Sequence, residues 1–268
     1  MGRFHRHDDG TVHSHDHDEH AHEHAHGDHG GYATGTERIE VLESIFAEND
    51  NRAAGNRELF DSNGIRALNL MSSPGSGKTT VLAATLDALV PEFAVGIVEG
   101  DIATDLDAAK LEGRGAQISL LNTADGFGGE CHLDAPMVHR ALHGLNLPQL
   151  DLVIIENVGN LVCPAEFDVG EHAKAMVYSV TEGEDKPLKY PVMFRAVDVV
   201  LLNKIDLVPY LDANVETYVA QVRQVNPTAV VIPVSARTGE GMAAWFDWLR
   251  GFAAPGEQIP DDEAERKS

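Results

Sequence analysis

The sequence predicts an α/β fold, a doubly wound and mainly parallel sheet with helices on both faces. Three observations carry that expectation. Short apolar runs recur at 67–71, 94–98, 117–121, 152–155, 197–202 and 230–234. They are nearly continuous rather than alternating, as strands of a parallel sheet are when both faces are covered. Stretches with helical spacing lie between them, and a glycine-rich loop joins the first run to the stretch that follows, the arrangement of an open sheet that binds ligands at its carboxyl edge.

Taken in order, residues 1–35 are of low complexity. Ten of the chain's 14 histidines fall between His5 and His29, interleaved with acids, with almost nothing apolar to bury. Such a segment predicts a disordered tail. Its repeated His-x-His spacing, at His13, His15, His17, His20, His22, His24 and His26, lets several imidazoles gather around one divalent ion, with Cu²⁺, Ni²⁺ and Zn²⁺ favoured. A helix is expected from Thr36, a capping residue, with Ile39, Leu42, Ile45 and Phe46 on one face. The strand–helix alternation then occupies one domain to residue 256. Its last helix, 241–252, carries Met242, Trp245, Phe246 and Leu249 on one stripe, and residues 257–268 form a short polar tail.

Composition narrows the function. A length of 268 residues with 43% hydrophobic content supports one α/β domain plus tails. A formal net charge of −23 speaks against nucleic acid and anionic membranes as partners. No apolar run reaches the roughly 18 residues needed to span a bilayer. Two cysteines make no disulfide framework, and the N-terminus has no apolar signal core, so a reducing cytoplasmic setting is expected.

The first run leads into Ser72-Ser73-Pro74-Gly75-Ser76-Gly77-Lys78-Thr79-Thr80. Glycines there let backbone N–H groups turn toward phosphate oxygens, and the following helix aims its positive end at the same point. Lys78 supplies a cation to the β- and γ-phosphates, and the Thr79 hydroxyl can reach Mg²⁺. The strict pattern has Gly where this chain has Ser72. Between strand and helix, Gly-x-Gly-Lys-Thr is seldom an ordinary glycine turn. The run 197–202 ends in Asn203-Lys204-Ile205-Asp206. A carboxylate at Asp206 can accept from guanine N1–H and its exocyclic amine, a donor pair adenine lacks. The Lys204 stem can lie along the base, and the next run ends in Ser235-Ala236, where a backbone N–H can meet guanine O6. GTP is therefore favoured.

Two further runs end in acids, Glu99-Gly100-Asp101 and Glu156-Asn157-Val158-Gly159-Asn160. Asp101 and Glu156 are candidates to hold Mg²⁺, directly or through water. With Lys78 they are the candidate catalytic residues, and which acid orients the attacking water stays open. Gly159 can offer its N–H to the γ-phosphate. Cys131-His132 follows a glycine-rich turn, and Cys163 lies seven residues past Glu156. Two thiolates and one imidazole suit Zn²⁺ or Ni²⁺. A fourth ligand would come from water, Glu130 or a second subunit. Read by spacing alone, both cysteines are equally well small buried hydrophobes. His139 and His143, four apart on an expected helix, read as surface histidines rather than a chelate, and His172 alone says nothing.

These motifs together resemble the hydrogenase nickel-incorporation GTPases of the HypB type. The resemblance covers about residues 36–252. It rests on the phosphate loop, Glu99-Gly100-Asp101, Glu130-Cys131-His132-Leu133-Asp134, Glu156 through Cys163-Pro164, the stretch SVTEGEDKPLKYP at 179–191, and Asn203-Lys204-Ile205-Asp206. It implies a P-loop GTPase of the SIMIBI-like class that dimerises with GTP. It places Cys131, His132 and Cys163 as nickel or zinc ligands at the dimer interface, Lys78, Thr79, Asp101 and Glu156 at phosphate and Mg²⁺, and Asn203 and Asp206 at guanine. It implies work in hydrogenase maturation, with a small nickel metallochaperone and the hydrogenase large-subunit precursor as partners. No cysteine precedes Cys131, so the Cys-rich N-terminal nickel motif of some members is missing and the histidine tail resembles the storage variant. Rival readings are a urease-type nickel-insertion GTPase, disfavoured by Pro164-Ala165 after Cys163 and by Asn203, a nickel-storage protein with a vestigial GTPase, and a small-molecule kinase, disfavoured by the Asn203–Asp206 stretch.

Overall fold

Seven strands form one sheet in the computed structural model, which describes residues 35–100, 110–121, 132–161, 163–165 and 167–254, with the short segments His5–Arg6 and Val12–His13. The strands are β1 (Arg66–Ser72), β2 (Val95–Glu99), β3 (Gln117–Leu120), β4 (Leu152–Gly159), β5 (Ala173–Ser179), β6 (Val199–Asn203) and β7 (Val230–Pro233). Their spatial order is β3-β2-β4-β1-β5-β6-β7, and every neighbouring pair is parallel. The chain leaves β1 toward β2 on one side, then continues past β5 on the other. That reversal opens a crevice at the carboxyl end of β1, the place where doubly wound sheets bind ligands.

The expected strands occur, with shifted ends, and one was not expected. Strand β5 begins Ala173-Lys174-Ala175. Alanine and lysine favour helix, so local preference hides a strand that pairing with β1 and β6 imposes. Strand β4 corrects a second expectation. It runs through Glu156 to Gly159, so Glu156 lies inside the strand, opposite Leu70 and Glu99, rather than beyond its end. A register shift between Leu70 and Ser72 lets β1 keep β4 paired as far as Gly159, as a bulge does when one strand must bend.

Helices cover both faces. On one, Leu68, Leu70, Ile97, Ile154, Val177 and Leu201 meet α2 (Lys78–Leu89) and the final helix, α7 (Met242–Ala253). Trp245 is buried there and its indole N–H donates to Thr85 Oγ1 at 2.9 Å. The opposite face packs in two patches. Phe60 of α1 (Gly35–Ser62) and Met137 and Val138 of α3 (Ala135–Leu142) cover Ala67, Val98 and Val153. Beyond the short helix α4 (Lys186–Lys189), helices α5 (Pro191–Arg195) and α6 (Val215–Val225) cover Met176, Tyr178, Val200 and Leu202. Of the apolar face expected on α1, Phe46 is 37% exposed and stacks on Phe167 at 5.3 Å, while the Ile39, Leu42 and Ile45 side chains lie outside the described residues.

The chain separates into two units, Met1–Val41 and Leu42–Ser268. In the first, the described residues include an antiparallel pairing of His5 with His13 and Arg6 with Val12. The second contains the sheet. Residues 257–268 lie outside the described residues, and no described helix is long and apolar enough to cross a membrane.

His172 has a role that spacing could not reveal. Its Nδ1 accepts from the Ala67 N–H at 2.9 Å and its Nε2 lies 2.8 Å from Asp61 Oδ1, with the side chain 5% exposed. Since Nδ1 accepts, the neutral ring carries its proton on Nε2. Burial, more than any charge nearby, lowers its pKa from 6.5. The neutral ring's contribution to stability is therefore complete above about pH 6.5 and is lost as pH falls through the depressed folded value. In chemical denaturation the parent should lose stability from about pH 6.5 downward. His172→Asn should be about 1 kcal/mol less stable at pH 8 and show a shallower acid slope; equal slopes would refute this role.

Candidate functional site

The crevice at β1 is built around its own loop. Gly75 and Gly77 have φ of 75° and 98°, a left-handed backbone that glycine adopts without strain. Gly77 is the N-cap of α2 and no side chain caps that helix, so its first N–H groups and the positive end of its dipole face the cavity. The cavity has a volume of about 340 Å³ and is lined by Ser72 through Thr80, Lys110 and Gly159. Ser76 is fully buried, and its hydroxyl has no hydrogen-bond partner among the described residues. Inward N–H groups, a hydroxyl and an ammonium fit a bound phosphate.

The ammonium belongs to Lys78, whose side chain is 4% exposed. It donates to the Asn157 carbonyl and stands 3.8 Å from Glu156 Oε1. Thr79 lines the same cavity. A hydroxyl and a carboxylate are the hard oxygen donors that suit Mg²⁺; Asp101, the third residue expected with them, lies outside the described residues. Gly159 closes the wall, and a Cβ there would come 3.4 Å from Pro74.

Glu182 was not anticipated here. It accepts a hydrogen bond from the Ser73 hydroxyl of the phosphate loop. The carboxylate is held by the Ser179 N–H at 2.8 Å and by Lys186 at 3.6 Å. The pair Ser179 and Glu182 forms a capping box, and its Ser-x-x-Glu spacing was the sequence signal available.

A second cavity, about 190 Å³, adjoins the first and shares Gly77 and Thr80 with it. Asn203, Lys204, Asp206, Leu207, Ser235, Ala236 and Arg237 line it. Asn203, 2% exposed, is a staple. Its Nδ2 donates to Ser76 O at 2.9 Å and its Oδ1 accepts from Ala236 N at 3.1 Å. Lys204, the one described non-glycine residue with positive φ, donates to Gly75 O at 2.6 Å. Asp206 Oδ1 accepts from Ser235 Oγ at 2.7 Å, which orients the carboxylate at the wall. Leu207 was missed by sequence reasoning because no motif position marks it, while Arg237 directly follows the expected Ser235-Ala236 pair. The shared wall lets one ligand place phosphates in the larger cavity and a planar base in the smaller.

Of the expected nickel or zinc ligands, Cys131 and the Cys163 side chain lie outside the described residues, as do His15, His17, His20, His22, His24 and His26; only backbone is described for His13. Among the described residues no group of three potential ligands gathers. The His132 ring stacks on Phe167 at 4.1 Å, and Phe167 lies four residues past Cys163, which opens the 3-10 turn Cys163–Ala165. His139 is half-buried, and its Nδ1 bonds Asn56 Oδ1 at 2.9 Å. The Asn56 amide donates to Ala135 O and Val169 O, both at 3.0 Å, so this histidine belongs to the packing between α1 and α3. His143 is exposed, in edge contact with His139 at 5.1 Å.

Gly77→Ala tests the joint between the cavities. An added Cβ would come 2.5 Å from Asn203 Nδ2 on a backbone with φ of 98°. The variant should lose about 1–3 kcal/mol of stability and bind nucleotide more weakly, read by thermal melting and fluorescent-nucleotide titration. Gly75→Ala, whose Cβ meets nothing within 4 Å, should be more stable than Gly77→Ala.

Residues 66–233 match the CobW/HypB/UreG nucleotide-binding domain family. Over 211 residues the chain is 51% identical to the hydrogenase maturation factor HypB of Azotobacter chroococcum mcd 1, covering 79% of this chain and 68% of that protein. The crystal structure of HypB from Archaeoglobus fulgidus matches with a TM-score of 0.72 at 37% identity, over 78% of this chain and all of that one. HypB from Helicobacter pylori in complex with nickel matches with a TM-score of 0.70 at 35% identity, over 77% and 95% of the two chains. The sheet, the phosphate loop and these likenesses agree: the chain belongs to the CobW/HypB/UreG nucleotide-binding family, among the HypB hydrogenase maturation factors.

Proposed function

We propose that this chain hydrolyses GTP to GDP and phosphate and uses the change of nucleotide to deliver nickel during maturation of a nickel-iron hydrogenase. The observation that carries the reading is the path of β4. The strand passes from Glu156 beside Lys78 to Gly159 on the phosphate cavity, and the turn Cys163–Ala165 begins four residues further along the sequence. A shift of that strand end therefore acts on the wall of the phosphate cavity and on the approach to the turn Cys163–Ala165.

Inward N–H groups of the 73–79 loop, with Lys78, hold the β- and γ-phosphates. Thr79, Asp101 and Glu156 would hold Mg²⁺, which would offset negative charge on the phosphates. Asp206 reads guanine N1–H and its amine, the Ser235-Ala236 stretch lies beside O6, and Asn203, whose Oδ1 takes the Ala236 N–H at 3.1 Å, keeps the two loops together. Water attacks the γ-phosphorus in line, the bond to the β-phosphate oxygen breaks, and the water's proton ends on the released phosphate. Asp101 or Glu156 orients that water. Among the described residues no arginine lines the phosphate cavity, and unaided turnover is slow.

GTP draws the Gly159 end of β4 toward the γ-phosphate. This orders a face on which two copies dimerise and sets Cys131, His132 and Cys163 around Ni²⁺ or Zn²⁺; hydrolysis loosens it. The nickel complex of the Helicobacter pylori relative supports nickel as the cargo. A small nickel metallochaperone supplies the ion, the hydrogenase large-subunit precursor receives it, and the histidine tail stores it, all in the cytoplasm.

The full chain permits a selective test, because the tail contains no cysteine. Thiolate-to-nickel charge-transfer absorption reports Cys131 and Cys163 only. With a non-hydrolysable GTP analogue, the nickel-dependent band should differ from that with GDP, and light scattering should show a dimer. Cys163→Ala should abolish the difference. A band identical in both nucleotides would leave storage in the tail as the better account.

Base recognition has its own test. Asp206→Asn replaces an acceptor with a donor. It should weaken GTP by about 10- to 150-fold, from about 1.5–3 kcal/mol per charged hydrogen bond, and improve xanthosine triphosphate, which has a carbonyl in place of the amine. Unchanged preference would exclude Asp206 as the reader.

A further inference from the structure

Beneath the nucleotide crevice runs a line of buried polar side chains that hydrolysis does not use. Asn157, in β4, is fully buried. Its Nδ2 donates to Asn69 Oδ1 at 3.3 Å, and Asn69 Nδ2 donates to Glu171 Oε1 at 3.2 Å. Glu171 is anchored in turn by Lys174 at 3.3 Å and by the Val169 N–H at 2.8 Å. This chain of donors settles which way the Asn157 amide points, since Nδ2 must face Asn69. Its Oδ1 then accepts two backbone N–H groups, Val158 at 2.9 Å and Leu133 at 3.1 Å.

Those two N–H groups belong to different parts of the molecule. Val158 adjoins Gly159, on the phosphate cavity. Leu133 adjoins His132, whose ring stacks on Phe167. Leu133 is itself fully buried, and its side chain fills the space over Gly100, where a Cβ would come 2.5 Å from it. The Gly100 N–H donates to Glu156 O at 3.0 Å. The Asn157 carbonyl accepts from Lys78. One residue thus touches the phosphate-loop lysine through its main chain and the His132–Leu133 segment through its side chain. A buried amide whose partners are all protein groups is stiff, because no water replaces a partner it loses.

We propose that Asn157 is the positioning residue that couples the phosphate site to the His132–Leu133 segment, through the shared acceptor that ties Leu133 to Val158. The proposal rests on the metal-delivery reading above. A displacement of Gly159 toward a γ-phosphate moves Val158 and its acceptor, and Leu133 follows. Coupling of this kind is reciprocal, so nucleotide changes metal affinity by the factor by which metal changes nucleotide affinity.

The test uses full-length parent and Asn157→Ala, followed by the thiolate–nickel band during nickel titration with GDP and with the GTP analogue. The readout is the ratio of apparent nickel affinities in the two nucleotides. In the parent this ratio should be about five-fold or more. In Asn157→Ala it should fall toward one while the band itself persists. A loss of mere structure would weaken binding in both nucleotides and leave the ratio in place. A parent ratio of one sinks the delivery reading and this proposal with it. A parent ratio retained in Asn157→Ala overturns the proposal alone. If Asn157→Ala has no cooperative melt, amide exchange on the parent decides. The Leu133 and Val158 amides should change protection together when the analogue replaces GDP. A change at Val158 with none at Leu133 overturns the link.

Discussion

A lysine ammonium that is 4% exposed must find partners inside the protein, because a buried unpaired charge costs several kcal/mol. Lys78 finds them on β4, in the Asn157 carbonyl and the Glu156 carboxylate. This requires β1, whose loop delivers Lys78, to lie beside β4, and it requires β4 to continue past Glu156. Both conditions are met by the parallel pairing of the two strands and by the register shift between Leu70 and Ser72. The crevice, the phosphate cavity and the position of Gly159 all follow from that pairing.

The same economy joins the phosphate loop to the far side of the sheet. Asn203 on β6 reaches Ser76 with one end of its amide and Ala236 with the other. Lys204 adds a bond to Gly75 by adopting a left-handed backbone, with φ of 65°. Gly77 must lack a Cβ for Asn203 to come this close. Motifs more than a hundred residues apart are thus one mechanical unit, held by hydrogen bonds whose buried members leave no room for a partial fit.

Polar burial elsewhere serves the sheet rather than the ligand. Glu171 sits under β1 with its carboxyl pushed up by burial, against the pull of Lys174. His172 supplies an acceptor to the first residues of β1. These side chains occupy the turn into β5, whose sequence resembles a helix more than a strand, and their contacts with β1 hold it in the sheet.

The sequence by itself determined the fold class, because short apolar runs alternating with helical stretches suit strands covered on both sides, and the phosphate loop, because its glycine, lysine and threonine spacing encodes a local backbone path. It also pointed to the Asn203–Asp206 loop through the residue types that read a base. Only the tertiary structure decided that Glu156 lies within β4, that Asn203 is a staple, that Glu182 touches Ser73, and that Asn157 binds Leu133. Each of those depends on a partner at least 24 residues away, or on strand register. Spacing along a chain shows which residues share a face, but distance across a sheet is set by the order in which its strands pair.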